Sequence, residues 1–370
     1  MKKAPGISGE FMPGAPESSA GCERKMSLPS PIEGPARPGP KEQPSAGSLP
    51  GWNEAIRKLW LPLFFSLHLL FTAFWIGLRT EHVLIYALVL ALWAANDRSR
   101  LFLKAALPFW VFGACYDALR LIPQAWTRQI HVADLYKAEK FLFGLDLNGV
   151  RITPSEYLSS HATPLLDLPA GIFYLMYLPV FFAFFVYLFW RNLALARRLA
   201  WCFLLLNLAG VLTFQIFPAA PPWYVTYYGL GPADPATPPH PAGMLRFDAL
   251  VGVPIAETLY SKSPDVFGAL PSLHVANPVL LFLYARRLGR SWGLLTLGYA
   301  LGVAFSALYL NHHYVLDVLA GALYAGISYC LIPAGTARAS RTRRPSHRRA
   351  PVVGVITLWR GNRRNQRIRL

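Results

Sequence analysis

The sequence predicts an all-α, polytopic integral membrane protein. Three observations carry this: a 54% hydrophobic composition, only 15% charged residues, and apolar residues gathered into long blocks rather than spread at a soluble period. Windows close to the roughly 20 residues that cross a hydrocarbon core run from Leu59 to Leu78, Leu166 to Trp190 and Arg198 to Phe217. Three more follow, from Leu270 to Ala285, Trp292 to Leu310 and Val315 to Ile332. Two weaker windows complete the set: His82 to Ala95 is short, and Leu101 to Leu119 carries Lys104 and Asp117. The expectation is a helical bundle of about eight spans, six of them clear in the sequence.

Residues 1–50 are rich in Pro, Gly, Ser and charge, and read as a disordered cytoplasmic tail. Residues 51–100 read as accessory transmembrane helices, 101–333 as the membrane core, and 334–370 as a basic cytoplasmic tail. The formal charge is +17, and residues 335–370 hold eleven arginines and no acid. Nucleic-acid binding is the tempting reading of that tail. The same bias recurs in the short loops 97–100, 191–198 and 286–290, so the positive-inside rule accounts for it better. Val352, Val353, Ile356, Leu358 and Trp359 among the arginines suit an anionic membrane surface. Both termini are then cytoplasmic, and loop 219–269 and the Asn311–Tyr314 turn share the opposite side.

Two motifs meet on that side. In His312-His313-Tyr314-Val315-Leu316-Asp317, an aspartate follows a histidine by one helical turn, a spacing that fixes a ring tautomer and stabilises an imidazolium. An unpaired carboxylate at membrane depth would cost about 2.5–3.5 kcal/mol, so a partner is expected. In Gly268-Ala269-Leu270-Pro271-Ser272-Leu273-His274, proline precedes an apolar run. The helix would start near Ser272 and offer unpaired N–H groups to phosphate, with His274 in the first turn.

These two motifs resemble the second and third signature motifs of the type 2 phosphatidic acid phosphatase superfamily. Phe217-Pro218-Ala219-Ala220-Pro221-Pro222-Trp223 and Glu139-Lys140-Phe141-Leu142-Phe143-Gly144 look like elements of its inositol phosphorylceramide synthase-like branch. The likeness covers roughly residues 101–333. It implies His313 as the nucleophile that takes the phosphoryl group, Asp317 as its orienting carboxylate and His274 as the acid that protonates the departing oxygen. Residue chemistry is compatible: attack needs a neutral imidazole, and departure needs a donor near neutral pH. Neither a metal nor a cofactor is called for.

The pattern departs from the superfamily's phosphatases in two respects. Their arginine six residues before the nucleophile is replaced by Ala307, after Ser306, and their first lysine-arginine-proline motif is not evident. Ser272, His312, Arg246 and Lys262 are the phosphate-binding candidates, with Lys137 behind them. The resemblance implies transfer of a phospho-headgroup, inositol phosphate from phosphatidylinositol, to a lipid hydroxyl such as that of ceramide. The alternatives are a lipid phosphate phosphatase and, in a different class, a lipid transporter or scaffold without chemistry. The expected partners are lipids and the membrane, the plasma membrane in a bacterium, with no nucleic acid. Elsewhere, His68 reads as a packing histidine, and Asp248, Glu257 and Asp265 as solvated. Tyr174, Tyr177 and Phe181, Phe182, Phe184 and Phe185 read as packing aromatics. Cys22, Cys115, Cys202 and Cys330 are too scattered for a disulfide framework or metal spacing.

Overall fold

The computed structural model describes residues 50–122 and 129–332; the tail before residue 50 and the basic tail from 334 lie outside them. Helices α1 (Pro50–Phe71), α2 (Thr80–Ala95) and α3 (Asp97–Ala118) come first, α1 being continued by a π-turn, Thr72–Ile76. After α4 (Ala133–Phe143) a small antiparallel hairpin pairs Leu145–Leu147 with Val150–Ile152. Then come α5 (Pro154–Ser160), α6 (Pro164–Leu175), α7 (Tyr177–Arg191) and α8 (Leu193–Ile216). Short helices α9 (Pro222–Tyr228), α10 (Met244–Val251) and α11 (Ile255–Tyr260) occupy the long loop before α12 (Leu273–Ala285), α13 (Arg290–Tyr309) and α14 (Val315–Leu331). The all-α expectation holds.

By length and composition, four or five stretches reach a full span, and α2 and α14 are shorter apolar helices of 16 and 17 residues. Four helical stretches among the described residues are long and apolar enough to cross a membrane: Leu59–Ile76, Asp97–Leu121, Leu193–Ile216 and Arg290–Tyr309. The pair α6 and α7, bent by 48°, makes a fifth if it counts as one span. The weak window at 101–119 qualifies because its helix continues to both sides. The window at 270–285 yields only the 13 residues of α12, about 20 Å of helix. Ser272 caps that helix, and the residues before it are held as loop. The bend between α6 and α7 has a local cause: Pro179 offers no N–H to the Leu175 carbonyl four residues back.

The core runs along α8, where Cys202, Phe203 and Leu206 pack with Phe181, Phe185 and Tyr284. Inside it, Asn207 and Asn277 exchange two side-chain hydrogen bonds of 3.0 and 3.1 Å, bolting α8 to α12. Each amide also donates to the carbonyl four residues back in its own helix, so neither is left with an idle donor. At the cytoplasm-facing end predicted from sequence, Arg198 donates to the carbonyls of Tyr329 and Ile332, closing the C-terminus of α14.

The other end of α14 is closed by Glu139 of α4, which is fully buried and accepts from the N–H groups of Val315 (2.8 Å) and Leu316 (3.1 Å). Burial pushes its carboxyl above the usual carboxylate range. Glu139→Ala would leave two partly buried donors unpaired. We expect it to destabilise the protein by about 1–3 kcal/mol, lowering the thermal midpoint in detergent, with Glu139→Gln losing less. An unchanged midpoint in the alanine variant would show that Glu139 does not hold this helix end.

Candidate active site

Four irregular backbone segments converge at the ends of α8, α12, α13 and α14. His131 N–H donates to the Pro218 carbonyl and Ala220 N–H returns a bond to the His131 carbonyl. Ala219 in turn donates to Phe267 and accepts from Ala269. Trp223 N–H reaches the carbonyl of Asn311, whose φ of 62° is the left-handed conformation that asparagine tolerates. Ser155 and Thr226 fix the Asn311 amide, and the N–H groups of His312 and His313 both return to the Ala307 carbonyl. The sequence elements 217–223, 268–274 and 312–317 are thus stitched into one frame.

Helices α12 and α14 cross closely because Gly321 lies against the Ser272 carbonyl, where a Cβ would approach to 2.4 Å. Ser272 N–H donates to the Asp317 carbonyl at 2.9 Å, and the Ser272 hydroxyl caps α12 through Val275 N–H. This crossing brings the two motifs together. His313 Nε2 lies 3.4 Å from His274 Nδ1. His313 Nδ1 is 3.1 Å from the Ala269 carbonyl and 3.5 Å from Asp317 Oδ2. With its proton on Nδ1, that ring presents a lone pair on Nε2 toward His274. Asp317 is fully buried, and its Oδ2 also accepts from Tyr314 N–H at 2.7 Å.

Aromatic rings enclose the histidines. Tyr174 stacks on His274 and on His312, with its hydroxyl 3.2 Å from His274 Nδ1. Tyr177 covers His274 from another direction. His312 is held between Tyr174 and Tyr260, its Nε2 3.1 Å from the Pro241 carbonyl. The Tyr260 hydroxyl lies 3.3 Å from both His312 Nδ1 and the Tyr174 hydroxyl. Burial, and then neighbouring His313, push the His312 pKa down to about 3, so this ring is neutral at physiological pH. The rings line a cavity of about 220 Å³ that Asn207, Trp223 and Asp265 also border.

The other predicted phosphate ligands sit elsewhere. Arg246 donates to Asp167 at 2.7 Å and lies over the Tyr309 ring, tying α10 to α6 and α13. Lys262 is half-exposed, 3.6 Å from Glu81, on a second cavity. Lys137 borders a third. Among the described residues, no lysine or arginine lines the histidine cavity. Ser272 is buried and serves as the cap of α12.

Residue reading missed the tyrosine cage, because rings spaced along α6, α7 and α11 look like packing until the bend at Met176 gathers them. It also took two acids as solvated that are not. Asp248 is buried and accepts from the N–H groups of Ala256 and Glu257. Asp265 accepts from Phe267 N–H through Oδ1, while its buried Oδ2 has no partner.

Residues 149–331 match the profile of the PAP2 superfamily. The phosphoinositol dihydroceramide synthase of Bacteroides thetaiotaomicron is 42% identical over 259 residues, which cover 69% of this chain and 85% of that one. The chain belongs to the PAP2 superfamily. Within it, the inositol phosphorylceramide synthase of Candida albicans is 36% identical over 226 residues, 60% of this chain and 46% of the relative. The corresponding catalytic subunit of Schizosaccharomyces pombe is 34% identical over 216 residues, 58% and 50% of the two chains. This PAP2 chain thus spans about half the length of the fungal relatives. No solved structure matches it.

Burial pushes the Asp265 carboxyl up to about 6. A carboxyl raised in the folded state contributes stability that is complete below its unfolded pKa, about 3.9, and is lost as pH rises through the folded value. Asp265→Asn keeps the acceptor for Phe267 N–H and removes the charge. We expect the variant to match the wild type near pH 4 and to exceed it by on the order of 1–3 kcal/mol at pH 7.5. A stability difference independent of pH, measured by thermal unfolding in detergent, would contradict this.

Proposed function

We propose that this PAP2 enzyme is a membrane inositolphosphotransferase that moves phosphoinositol from a phosphatidylinositol-like donor to the hydroxyl of a ceramide-like lipid. The observation that carries the reading is the His313–His274 pair, with His313 Nδ1 facing the Ala269 carbonyl and Asp317. His313 Nε2 attacks phosphorus and forms the P–N bond. The bond to the diacylglycerol oxygen breaks, and that oxygen takes a proton from His274. The phosphorylated ring is cationic, and Asp317 and the Ala269 carbonyl stabilise it. In the second half, the acceptor hydroxyl gives its proton to His274 and attacks phosphorus, releasing His313.

Wall chemistry favours a diester over a phosphate monoester. A monoester carries nearly two negative charges at neutral pH, and the superfamily's phosphatases are expected to meet it with arginine. Here tyrosines, histidines and an aspartate line the cavity, and among the described residues no lysine or arginine does. A phosphodiester, with one charge, asks less. The loop charges support a site on the extracytoplasmic face with both termini in the cytoplasm.

The test is to incubate the purified protein with labelled phosphatidylinositol, with and without ceramide, and identify the products. Transfer of label to ceramide is expected from the wild type; release of free phosphate from phosphatidic acid instead would favour a phosphatase. His313→Ala should abolish transfer at equal membrane abundance. His274→Ala should lose about 10²–10⁴-fold and recover in part on a donor with a good leaving group. Rescue of the His313 variant alone would reverse the two roles.

Sidedness is tested separately. Cysteines engineered in 225–245 should react with an impermeant reagent in intact cells, and cysteines in 340–350 should not. The opposite pattern would invert the topology.

A further inference from the structure

Outside the segment that matches the PAP2 profile, α1, α2 and α3 enclose a second cavity of about 500 Å³, closed on one side by Phe182 of α7. Its wall changes character along its length. At one end stands a charged cluster in which each cation among the described residues meets an acid. Arg79 donates to Asp117 at 2.7 Å and to Glu81 at 2.9 Å, Arg120 to Asp117 at 3.1 Å, and Lys262 lies 3.6 Å from Glu81. Trp110 lies two helical turns, about 10 Å, below Asp117. There, three wall atoms are buried without a partner: Trp110 Nε1, His68 Nε2 and Thr72 Oγ1. His68 meets the Trp110 ring edge to face at 5.3 Å. Beyond this belt, toward the opposite ends of α2 and α3, the wall is Phe65, Val89, Leu92, Leu103 and Leu107.

A charged mouth, a hydrogen-bonding belt and an apolar end have the polarity profile of a lipid. Unpaired polar atoms at this depth are costly, and a ligand's polar groups would relieve them. The paired cations identify which lipid. A phosphate head would call for an unpaired cation, whereas an indole N–H, a hydroxyl and an imidazole suit an uncharged head of amide and hydroxyl groups. The cavity also adjoins the histidine site. Tyr116 lines both, and along one loop Lys262 and Pro264 line this cavity while Ser263 and Asp265 line the other.

We infer that this cavity binds the acceptor, an uncharged long-chain hydroxy-amide lipid, with its head between the Thr72–His68–Trp110 belt and the charged end that adjoins the histidine site. The inference rests on the transferase reading above. The phospholipid donor then occupies the histidine cavity, and the two substrates approach phosphorus from separate sites.

The test uses the full-length protein in phosphatidylcholine nanodiscs with a dihydroceramide carrying a photoactivatable diazirine in its acyl chain, and maps the adducts by mass spectrometry. Adducts are expected on 65–72, 85–92 and 103–113, displaced by unlabelled dihydroceramide and not by phosphatidylinositol. Gly113 lines the cavity and a Cβ there meets nothing within 4 Å, so Gly113→Phe fills the space without a clash at its first atom. It should reduce labelling and raise KM for the acceptor at least tenfold, with KM for the donor unchanged. Gly113→Ala should behave as wild type, and Ala106→Phe, on the same wall, should repeat the effect. Adducts centred on α8 and α12, displacement by phosphatidylinositol, or labelling indifferent to both filling variants would overturn the inference. Labelling is read without turnover, so the expected adducts in a protein that transfers nothing would strike the transferase reading alone.

Discussion

Irregular backbone packed among membrane-spanning helices must find its hydrogen-bond partners inside the protein, and that constraint organises this molecule. The segments around His131, Ala219, Gly268 and Asn311 answer it jointly, each supplying the donors or acceptors that another lacks. None could be removed without orphaning polar groups in its neighbours. The helix ends obey the same requirement. Glu139 and Asp317 serve the first turn of α14, and Ser272 serves that of α12.

Rigidity of that frame is what holds the two histidines within 3.4 Å of each other. Each is placed by backbone on both sides: His274 by the cap of α12, His313 by the Ala269 and Ala307 carbonyls. Stacked tyrosines remove the remaining freedom and lower the local dielectric, which strengthens every charge interaction in the cavity. Asp317 does two things with one oxygen, capping a helix and facing the His313 ring. His312 has a different part. Its low pKa keeps it neutral, and its ring is a plate between Tyr174 and Tyr260 rather than a counter-ion.

The cations follow a common pattern. Arg198, Arg246 and Arg79 each close a contact between helices, through carbonyls at the end of α14 or through Asp167 and Asp117. In a medium where an unpaired charge is expensive, such pairing is the stable use of arginine. Among the described residues, it leaves the histidine cavity walled by hydroxyls, rings and the Asp265 carboxylate.

Local spacing determined much of this protein from the sequence alone. The long apolar blocks carried the all-α membrane class, and the four-residue step from His313 to Asp317 carried the pairing. The proline-serine start of α12 was legible too, since caps and prolines act within a few residues. Other features depend on which helices meet. That Gly321 admits the Ser272 carbonyl, that Asn207 finds Asn277, and that Glu139 reaches α14 across 176 residues are facts of packing. The same holds for Arg246, whose partner Asp167 lies 79 residues away. A side chain's sequence neighbourhood gives its chemistry, but whether it ends as ligand, clamp or cap is decided by the surface it is buried against.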